Sequence, residues 1–263
     1  SVGVRPAAAF RTHLTLGRVD GASALRPGSG QATAKLAREM YSERRQVEAA
    51  VSTLPLVWGQ GLTAYLDHYE YTCTEQLVSK GVSALMLVAR PEFGSIQNPD
   101  AQPLAQTFST LRGRANDQGG LGLWSSTPDT AEFPTVYAAH FLVEAQEHGQ
   151  KIPQDILANL DRWLSRFAVT PASSLGDARL RAYAVYLLAR QGIRPTAALS
   201  NVEQELTNRY TKTWPADLAA AYLASTYRLM QRNDDADRIV KAVPWSTQKK
   251  DPGDEVYYDA VVH

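Results

Sequence analysis

The chain has 263 residues, of which 44% are hydrophobic, and its 27 Lys and Arg residues balance its 27 Asp and Glu residues. This composition supports a substantial core, while the balanced charge excludes the strong field typical of proteins that bind nucleic acid or anionic membranes. No apolar run approaches the roughly 20 residues that cross a bilayer. Because the sequence opens without Met or a signal peptide and closes in mid-pattern, we expect a piece of a longer protein.

Residues 1–56 contain short runs of alternating polar and apolar residues, for example at 10–17 and 46–51, separated by turns with Gly and Pro. Such runs are typical of β-strands. A few short strands cannot bury a core alone, so we expect them to belong to a β domain whose other strands lie outside this chain.

From residue 57 onward the hydrophobic period changes to that of helices, and Gly and Pro fall where helices should stop and start. A weak repeat places Tyr137, Tyr183, Tyr222 and Tyr258 at intervals of about 40 residues, most of them beside small residues, which is typical of helical hairpins. Periodicity leaves open whether the hairpins stack as an open solenoid or close into a ring. The predicted helices are 61–68, 73–90, 101–113, 134–148, 154–167, 177–191, 199–210, 216–231, 233–241 and 255 onward.

A glycine-rich segment at 117–124 interrupts these helices. It follows no strand and lacks the spacing and the lysine of a phosphate-binding loop, so it does not predict nucleotide binding. We expect a tight turn that packs Leu123 and Trp124 beneath the hairpins.

Cys73 is the only cysteine of the chain, and Gln76 lies three positions later at the start of a predicted helix. Residues at i and i+3 share a side of a helix, so the sulfur and the carboxamide could meet and form an internal thioester with loss of ammonia. A buried, unreactive cysteine is the alternative, and the residue types alone leave both readings open.

Residues 69–76 read Tyr-Glu-Tyr-Thr-Cys-Thr-Glu-Gln and resemble the Cys-x-Glu-Gln thioester motif of the alpha-2-macroglobulin and complement family, its bacterial branch in particular. This context favours a reactive Cys73. The similarity covers most of 57–263 and includes the segments 77–80, 117–124 and 135–137.

The resemblance implies a mainly α fold. We expect an α/α-toroid of helical hairpins, the thioester domain, at 57–263, truncated at its C-terminus. The strands of 1–56 resemble the part of a CUB-like β domain that precedes the thioester domain in that family.

In such a domain Cys73 would supply the sulfur of the thioester and Gln76 its acyl group. Tyr69 and Tyr71 match aromatic positions that help to cover the bond in bacterial members, although ordinary packing before a helix explains each of them as well. The resemblance implies neither a metal nor a cofactor.

The implied function is that of a protease trap. In the family, a protease cuts a bait region elsewhere in the chain, the molecule rearranges, and the exposed thioester acylates the attacker. Such a protein is an inhibitor that reacts once and not an enzyme. The implied partners are target proteases, other domains of the same chain and proteins associated with the inner membrane, and no nucleic acid. The implied location is the periplasm, with the parent protein anchored to the inner membrane.

Two other functions stay open at this point. One is a structural or partner-binding toroid of a macroglobulin-like protein in which the thioester does not form. The other is an α/α-barrel enzyme, which would need converging carboxylates; Asp117, Asp129 and Glu132 are the best such group.

The positions of the histidines help to predict which chemical group accepts the acyl group from the thioester. Complement members that transfer the acyl group to hydroxyls use a histidine on a later hairpin, and the corresponding stretch here, 184–195, contains none. We therefore expect transfer to amines such as lysine side chains. We also expect His140 to be packed near Tyr137, His148 to end a helix, and His68 to lie in an exposed loop.

Overall fold

A computed structural model describes Leu66, Tyr69 and the residues 71–89, 103–125 and 127–244. The chain divides into two compact units, one made of Ser1–Glu70 and Met86–Asp100, the other of Tyr71–Leu85 and Ala101–His263. The strands predicted within 1–56 and the helices predicted at 61–68 and from 255 onward lie outside the described residues, apart from Leu66. The domain boundary predicted after residue 56 stays a prediction.

Within the described residues, every predicted helix from 73 to 241 is present, and the mainly α fold is confirmed. Most bounds differ from the prediction by one or two residues, and the largest differences are about three residues, as expected for pattern-based boundaries. The helices are α1 (Thr74–Ala89), α2 (Pro103–Gly113), α3 (Glu132–Glu147), α4 (Gln154–Phe167), α5 (Leu175–Arg190), α6 (Thr196–Arg209), α7 (Leu218–Leu229) and α8 (Asn233–Ala242), with a 3-10 turn at Trp214–Ala216.

Local side-chain chemistry sets several of these helix ends. Ser174 precedes α5 and accepts a hydrogen bond from the Asp177 backbone N–H at 3.1 Å. Asp217 precedes α7 and accepts one from the Ala219 backbone N–H at 2.9 Å. These acceptors satisfy N–H groups that have no partner inside the helix, which stabilises each start by about 1 kcal/mol.

In the second unit the helices form two layers. Helices α3, α5 and α7 pack in that order as the first layer. In the second layer, α4 packs against α3 and α5, α6 packs against α5, and α8 packs against α7. Helix α5 is therefore buried on most sides, while α4 buries one face that includes Ile156, Leu160 and Leu164. This alternation of inner and outer helices is the hairpin arrangement that the sequence predicted.

The tyrosine repeat marks the inner layer. Tyr137, Tyr183 and Tyr222 lie on α3, α5 and α7, and the rings of Tyr183 and Tyr222 stack with centroids 4.5 Å apart. Fully buried alanines such as Ala182 and Ala219 let the backbones of these helices approach each other closely. The hairpin predicted around Tyr258 lies outside the described residues.

The first helix and the second pack onto α3. Gly81 on α1 faces Phe141: a Cβ added there would lie 2.6 Å from the Phe141 ring. Phe108 on α2 contacts the same ring with centroids 5.6 Å apart. The middle of α1 is thereby held against α3. Among the described residues, no helix is both long enough and apolar enough to cross a membrane.

Candidate functional site

Cys73 stands immediately before the first residue of α1. Its carbonyl accepts the first helical hydrogen bond, from the Leu77 N–H at 2.9 Å. The side chain of Gln76 turns back along the helix, and its Oε1 accepts a hydrogen bond from the Cys73 N–H at 3.1 Å. This is one half of a capping box, in which a residue three positions into the helix satisfies the N–H of the capping residue. The carboxamide of Gln76 therefore lies against Cys73.

Cys73 is a free and partly buried cysteine. Tyr71 has 64% of its surface exposed, whereas Tyr69 is half-buried. The thioester assigned to Cys73 and Gln76, and the shielding assigned to the two tyrosines, stay predictions.

Thr74 anchors the start of α1 to the glycine-rich segment. Its side chain is completely buried, and its hydroxyl donates to the Gly122 carbonyl at 2.6 Å. Its backbone N–H donates to the Leu123 carbonyl at 3.0 Å. The N–H groups of a first helical turn have no partner within the helix, so these carbonyls fix where α1 begins.

The glycine-rich segment is a tight turn, as predicted, but it buries a different residue. An antiparallel bridge joins Ala115 to Leu121, and Leu121 is the fully buried side chain. The expectation that Leu123 and Trp124 pack beneath the hairpins is wrong, because they are 36% and 44% exposed. The carbonyls of Gly122 and Leu123 bind Thr74, and this geometry leaves the side chains that follow at the surface.

Arg114 is a site residue that the sequence did not indicate. It is only 7% exposed. Its Nη2 donates to the Thr72 carbonyl at 2.6 Å, and its Nη1 donates to the Thr74 hydroxyl oxygen at 3.0 Å. Burial lowers the pKa of Arg114 below its ordinary value, and negative charge on Cys73 acts in the opposite direction. No local pattern distinguishes this arginine from Arg112, two positions earlier, which is exposed and pairs with Asp155.

His140 sits in a hydrogen-bonded cluster on the inner layer. Its Nδ1 contacts the Tyr183 hydroxyl, and its Nε2 lies 3.0 Å from Arg190 Nη1. The same Nε2 also lies 3.2 Å from Glu144 Oε1. Arginine only donates and a carboxylate only accepts, so these two neighbours of Nε2 favour opposite tautomers of the ring. Arg190 also donates to Glu144 Oε1 at 2.8 Å. Both ring nitrogens of His140 are thus engaged in packing contacts, in keeping with the packed position predicted for it.

This cluster predicts a pH dependence of stability. Burial, followed by the positive charge of Arg190, lowers the pKa of His140 from its ordinary value of 6.5. The unfolded chain therefore takes up the proton first, and the unfolding free energy is expected to fall as the pH drops below about 6.5 towards the folded pKa. His140→Gln removes this titration and should flatten the profile, measured by urea unfolding at pH values between about 7.5 and about 5.5.

The control is His148→Gln. His148 ends α3 as predicted, its side chain is half exposed, and its Nδ1 lies 2.9 Å from the Glu144 carbonyl. The pH profile of His140→Gln should be flatter than that of this variant. An unchanged slope in His140→Gln would contradict the assignment.

The other candidates do not form a second site. Asp117, Asp129 and Glu132 are all exposed. In the described part of the chain, no group of three or more His, Cys, Asp or Glu side chains is arranged to hold a metal ion. The prediction for His68 lies outside the described residues.

No profile of a known protein family matches the chain. An alpha-2-macroglobulin homolog from Yersinia pestis is 37% identical to it over 243 residues, which are 92% of this chain and 12% of that protein. An alpha-2-macroglobulin from Rickettsia conorii is 31% identical over 245 residues, which are 91% of this chain and 12% of that protein. The chain thus spans a small part of the length of these relatives.

Solved structures agree on the fold. Native alpha-2-macroglobulin from Escherichia coli, spanning domain MG7 to the C-terminus, matches 71% of this chain and 30% of that chain, with a TM-score of 0.59 and 22% identity. Salmonella alpha-2-macroglobulin reacted with methylamine matches 70% of this chain and 13% of that chain, with a TM-score of 0.57 and 21% identity. Over the residues that these matches cover, the chain belongs to the bacterial alpha-2-macroglobulin family.

Proposed function

We propose that the chain carries the thioester of a bacterial protease trap and captures the attacking protease covalently through Cys73 and Gln76. One observation carries the proposal: the Gln76 carboxamide folds back onto Cys73, with Oε1 accepting from the Cys73 N–H at 3.1 Å. The relatives are alpha-2-macroglobulins, and one solved member has been reacted with methylamine, a small amine. Both facts support a reactive acyl group in this chain.

Cys73 and Gln76 supply the two atoms that the thioester bond joins. The Cys73 sulfur adds to the side-chain carbonyl carbon of Gln76, a C–S bond forms, and ammonia leaves. When a lysine amine of the attacker later adds to the same carbon, a C–N bond forms and the C–S bond breaks. The electron pair of that bond goes to the sulfur, and the proton given up by the amine neutralises the thiolate or passes to water. The site reacts once, so the protein acts as an inhibitor and does not turn over.

The proposal includes the setting of this chemistry. The partners are the proteases that are captured and the other domains of the same protein, with proteins associated with the inner membrane as further candidates. The location is the periplasm, with the parent protein anchored to the inner membrane. Fractionation of cells, with the protein traced by an antibody, tests the location; recovery from the cytoplasm would contradict it.

A structural role is the second candidate. The hydrogen bond from Cys73 to Gln76 also caps α1, and a capping glutamine needs no covalent bond. A toroid of this kind would enclose or hold partners without acylating them. The two functions differ in the state of the sulfur, which is blocked in one and free in the other.

Covalent capture tests the proposed function. The intact protein is incubated with trypsin, and the products are separated under denaturing conditions that leave amide bonds intact. We expect a conjugate whose digest contains a Gln76 side chain joined to a lysine of trypsin. Inhibition without any such peptide would favour the structural role.

The choice of acceptor is a separate prediction. No histidine lies in 184–195, and both nitrogens of His140 are hydrogen-bonded, so neither that stretch nor His140 offers an imidazole to relay the acyl group. We expect methylamine to be incorporated at Gln76 at least about ten times faster than glycerol at equal concentration, because an amine needs no such relay. Mass spectrometry of the Gln76 peptide measures both products, and equal rates would contradict the prediction.

A further inference from the structure

Arg114 holds the backbone on both sides of Cys73. Thr72, whose carbonyl accepts from Nη2 at 2.6 Å, comes directly before the cysteine. Thr74, whose hydroxyl accepts from Nη1 at 3.0 Å, comes directly after it. One planar guanidinium therefore fixes the segment that carries the sulfur, using the fork of donors that only arginine provides.

The charge of Arg114 has no carboxylate partner in the described part of the chain. Besides Thr72 and Thr74, its Nη1 lies 3.4 Å from the Leu123 carbonyl, and its Nε is buried without any hydrogen-bond partner. Burying a cation among neutral groups costs folding free energy. An anion close to the cation reduces this cost, so a buried arginine without a carboxylate indicates another source of negative charge nearby. Cys73 lies in sequence between the two residues that Arg114 holds, and negative charge on its sulfur would act favourably on this guanidinium.

We propose that Arg114 is a positioning residue for acyl transfer at Cys73: it fixes the cysteine at the start of α1 and places positive charge beside the sulfur that leaves. The inference rests on the proposed function. During transfer the C–S bond breaks and its electron pair goes to the Cys73 sulfur, so negative charge develops on the residue between the two that the guanidinium holds. Preorganised charge of this kind needs no rearrangement at the moment of reaction.

A matched pair of variants separates charge from structure. Arg114→Met keeps most of the side-chain volume and removes the charge, while Arg114→Lys keeps the charge and loses the fork. Arg112→Met is the control, because Arg112 lies two positions earlier, is exposed and pairs with Asp155 at 2.6 Å. Arg114→Gln serves as a second neutral variant that keeps a side-chain donor.

The first experiment does not depend on whether a thioester forms. In a Gln76→Ala background Cys73 stays a free thiol, and its alkylation by iodoacetamide is followed across pH. With Arg114→Met we expect alkylation near neutral pH to slow about fivefold, with the rates converging at high pH where the thiol is fully ionised. Arg114→Lys should restore most of the rate, and Arg112→Met should not change it.

Three outcomes overturn the proposal. The first is a folded Arg114→Met that is alkylated at the control rate at every pH. The second is a uniform change at all pH values, which would indicate altered access to the sulfur and not altered charge. The third is that neither Arg114→Met nor Arg114→Gln folds, by circular dichroism, because Arg114 would then serve the stability of the fold alone.

The second experiment measures the reaction itself. In the intact protein with Gln76 present, thiol release by methylamine is expected to slow about tenfold in Arg114→Met and to recover in part in Arg114→Lys. An unchanged release rate in a folded Arg114→Met would contradict the proposal. If the unmodified protein releases no thiol at all, the proposed function fails, and the alkylation profile still decides whether Arg114 acts on the sulfur.

Discussion

Replacing Cys73 with alanine is expected to abolish covalent capture, lowering both methylamine incorporation and trypsin conjugation at least about a hundredfold. The sulfur is the group that leaves when the proposed mechanism transfers the acyl group to an amine. An unactivated glutamine carboxamide does not acylate amines at a useful rate in neutral water. Incorporation is measured by mass spectrometry of the Gln76 peptide, and conjugation by electrophoresis under denaturing conditions.

Two controls make this result specific. Gln76→Ala should show the same loss, but it should also leave a permanently free thiol at Cys73. Ser79→Ala should react as the unmodified protein does, because Ser79 lies on α1 with its hydroxyl 3.3 Å from that of Tyr137 and takes no part in the bond. Trypsin conjugation that persists in Cys73→Ala would show that the capture uses another group.

Replacing Gly119 with alanine is expected to lower the unfolding free energy by about 3 kcal/mol. Gly119 has a φ of +83°, a conformation that costs other residues about 1 kcal/mol or more. A Cβ added there would also lie 2.5 Å from the Asn159 carbonyl oxygen, which is backbone and cannot move aside cheaply. Urea unfolding followed by circular dichroism measures the loss.

Gly149→Ala is the matched control. Gly149 has a similar φ of +76°, but no atom lies within 4 Å of an added Cβ. We therefore expect a loss of about 1 kcal/mol, the conformational part alone. Equal losses of unfolding free energy in the two variants would contradict this prediction. They would show that the backbone near Asn159 moves to make room for the added methyl group at little cost.

The helices of the described region were predictable because their signals are local. Gly149, Pro153 and Pro195 lie between helices in the structure as they do in the pattern. The tyrosine repeat also predicted a relation between residues that are about 40 positions apart. Tyr183 and Tyr222 occupy the same position in successive hairpins, on helices that are neighbours in the inner layer. Their rings therefore stack, and the spacing in the sequence predicts a contact between helices.

The features that the sequence did not predict depend on contacts between residues far apart in the chain. Arginines are mostly exposed, and nothing in the local sequence tells the buried Arg114 from the exposed Arg112. Its partner Thr72 lies 42 positions away, so the contact exists only in the folded chain. The burial of Leu121 in place of Leu123 was missed for a similar reason. It depends on which carbonyls of the turn bind Thr74, a choice made by tertiary contact.

The N-terminus of α1 is where Cys73, Arg114 and the glycine-rich turn meet. A helix N-terminus presents unsatisfied N–H groups and partial positive charge, which favour negative charge on a neighbouring sulfur. Arg114 adds a full positive charge at the same place, and the glycine-rich turn fixes Thr74 beneath it. The motif of Cys73 and Gln76 could be recognised from the sequence, whereas the residues that support it come from 40 to 49 positions away.

The mass of the intact native protein tests the central claim most directly, together with the reactivity of its single cysteine. If Cys73 and Gln76 form a thioester, the protein is lighter than its sequence by one ammonia, and iodoacetamide does not label Cys73 until methylamine has been added. After methylamine, one thiol becomes reactive and the Gln76 peptide gains the amine. A native protein with the full sequence mass and a Cys73 that is labelled from the start would contradict the account.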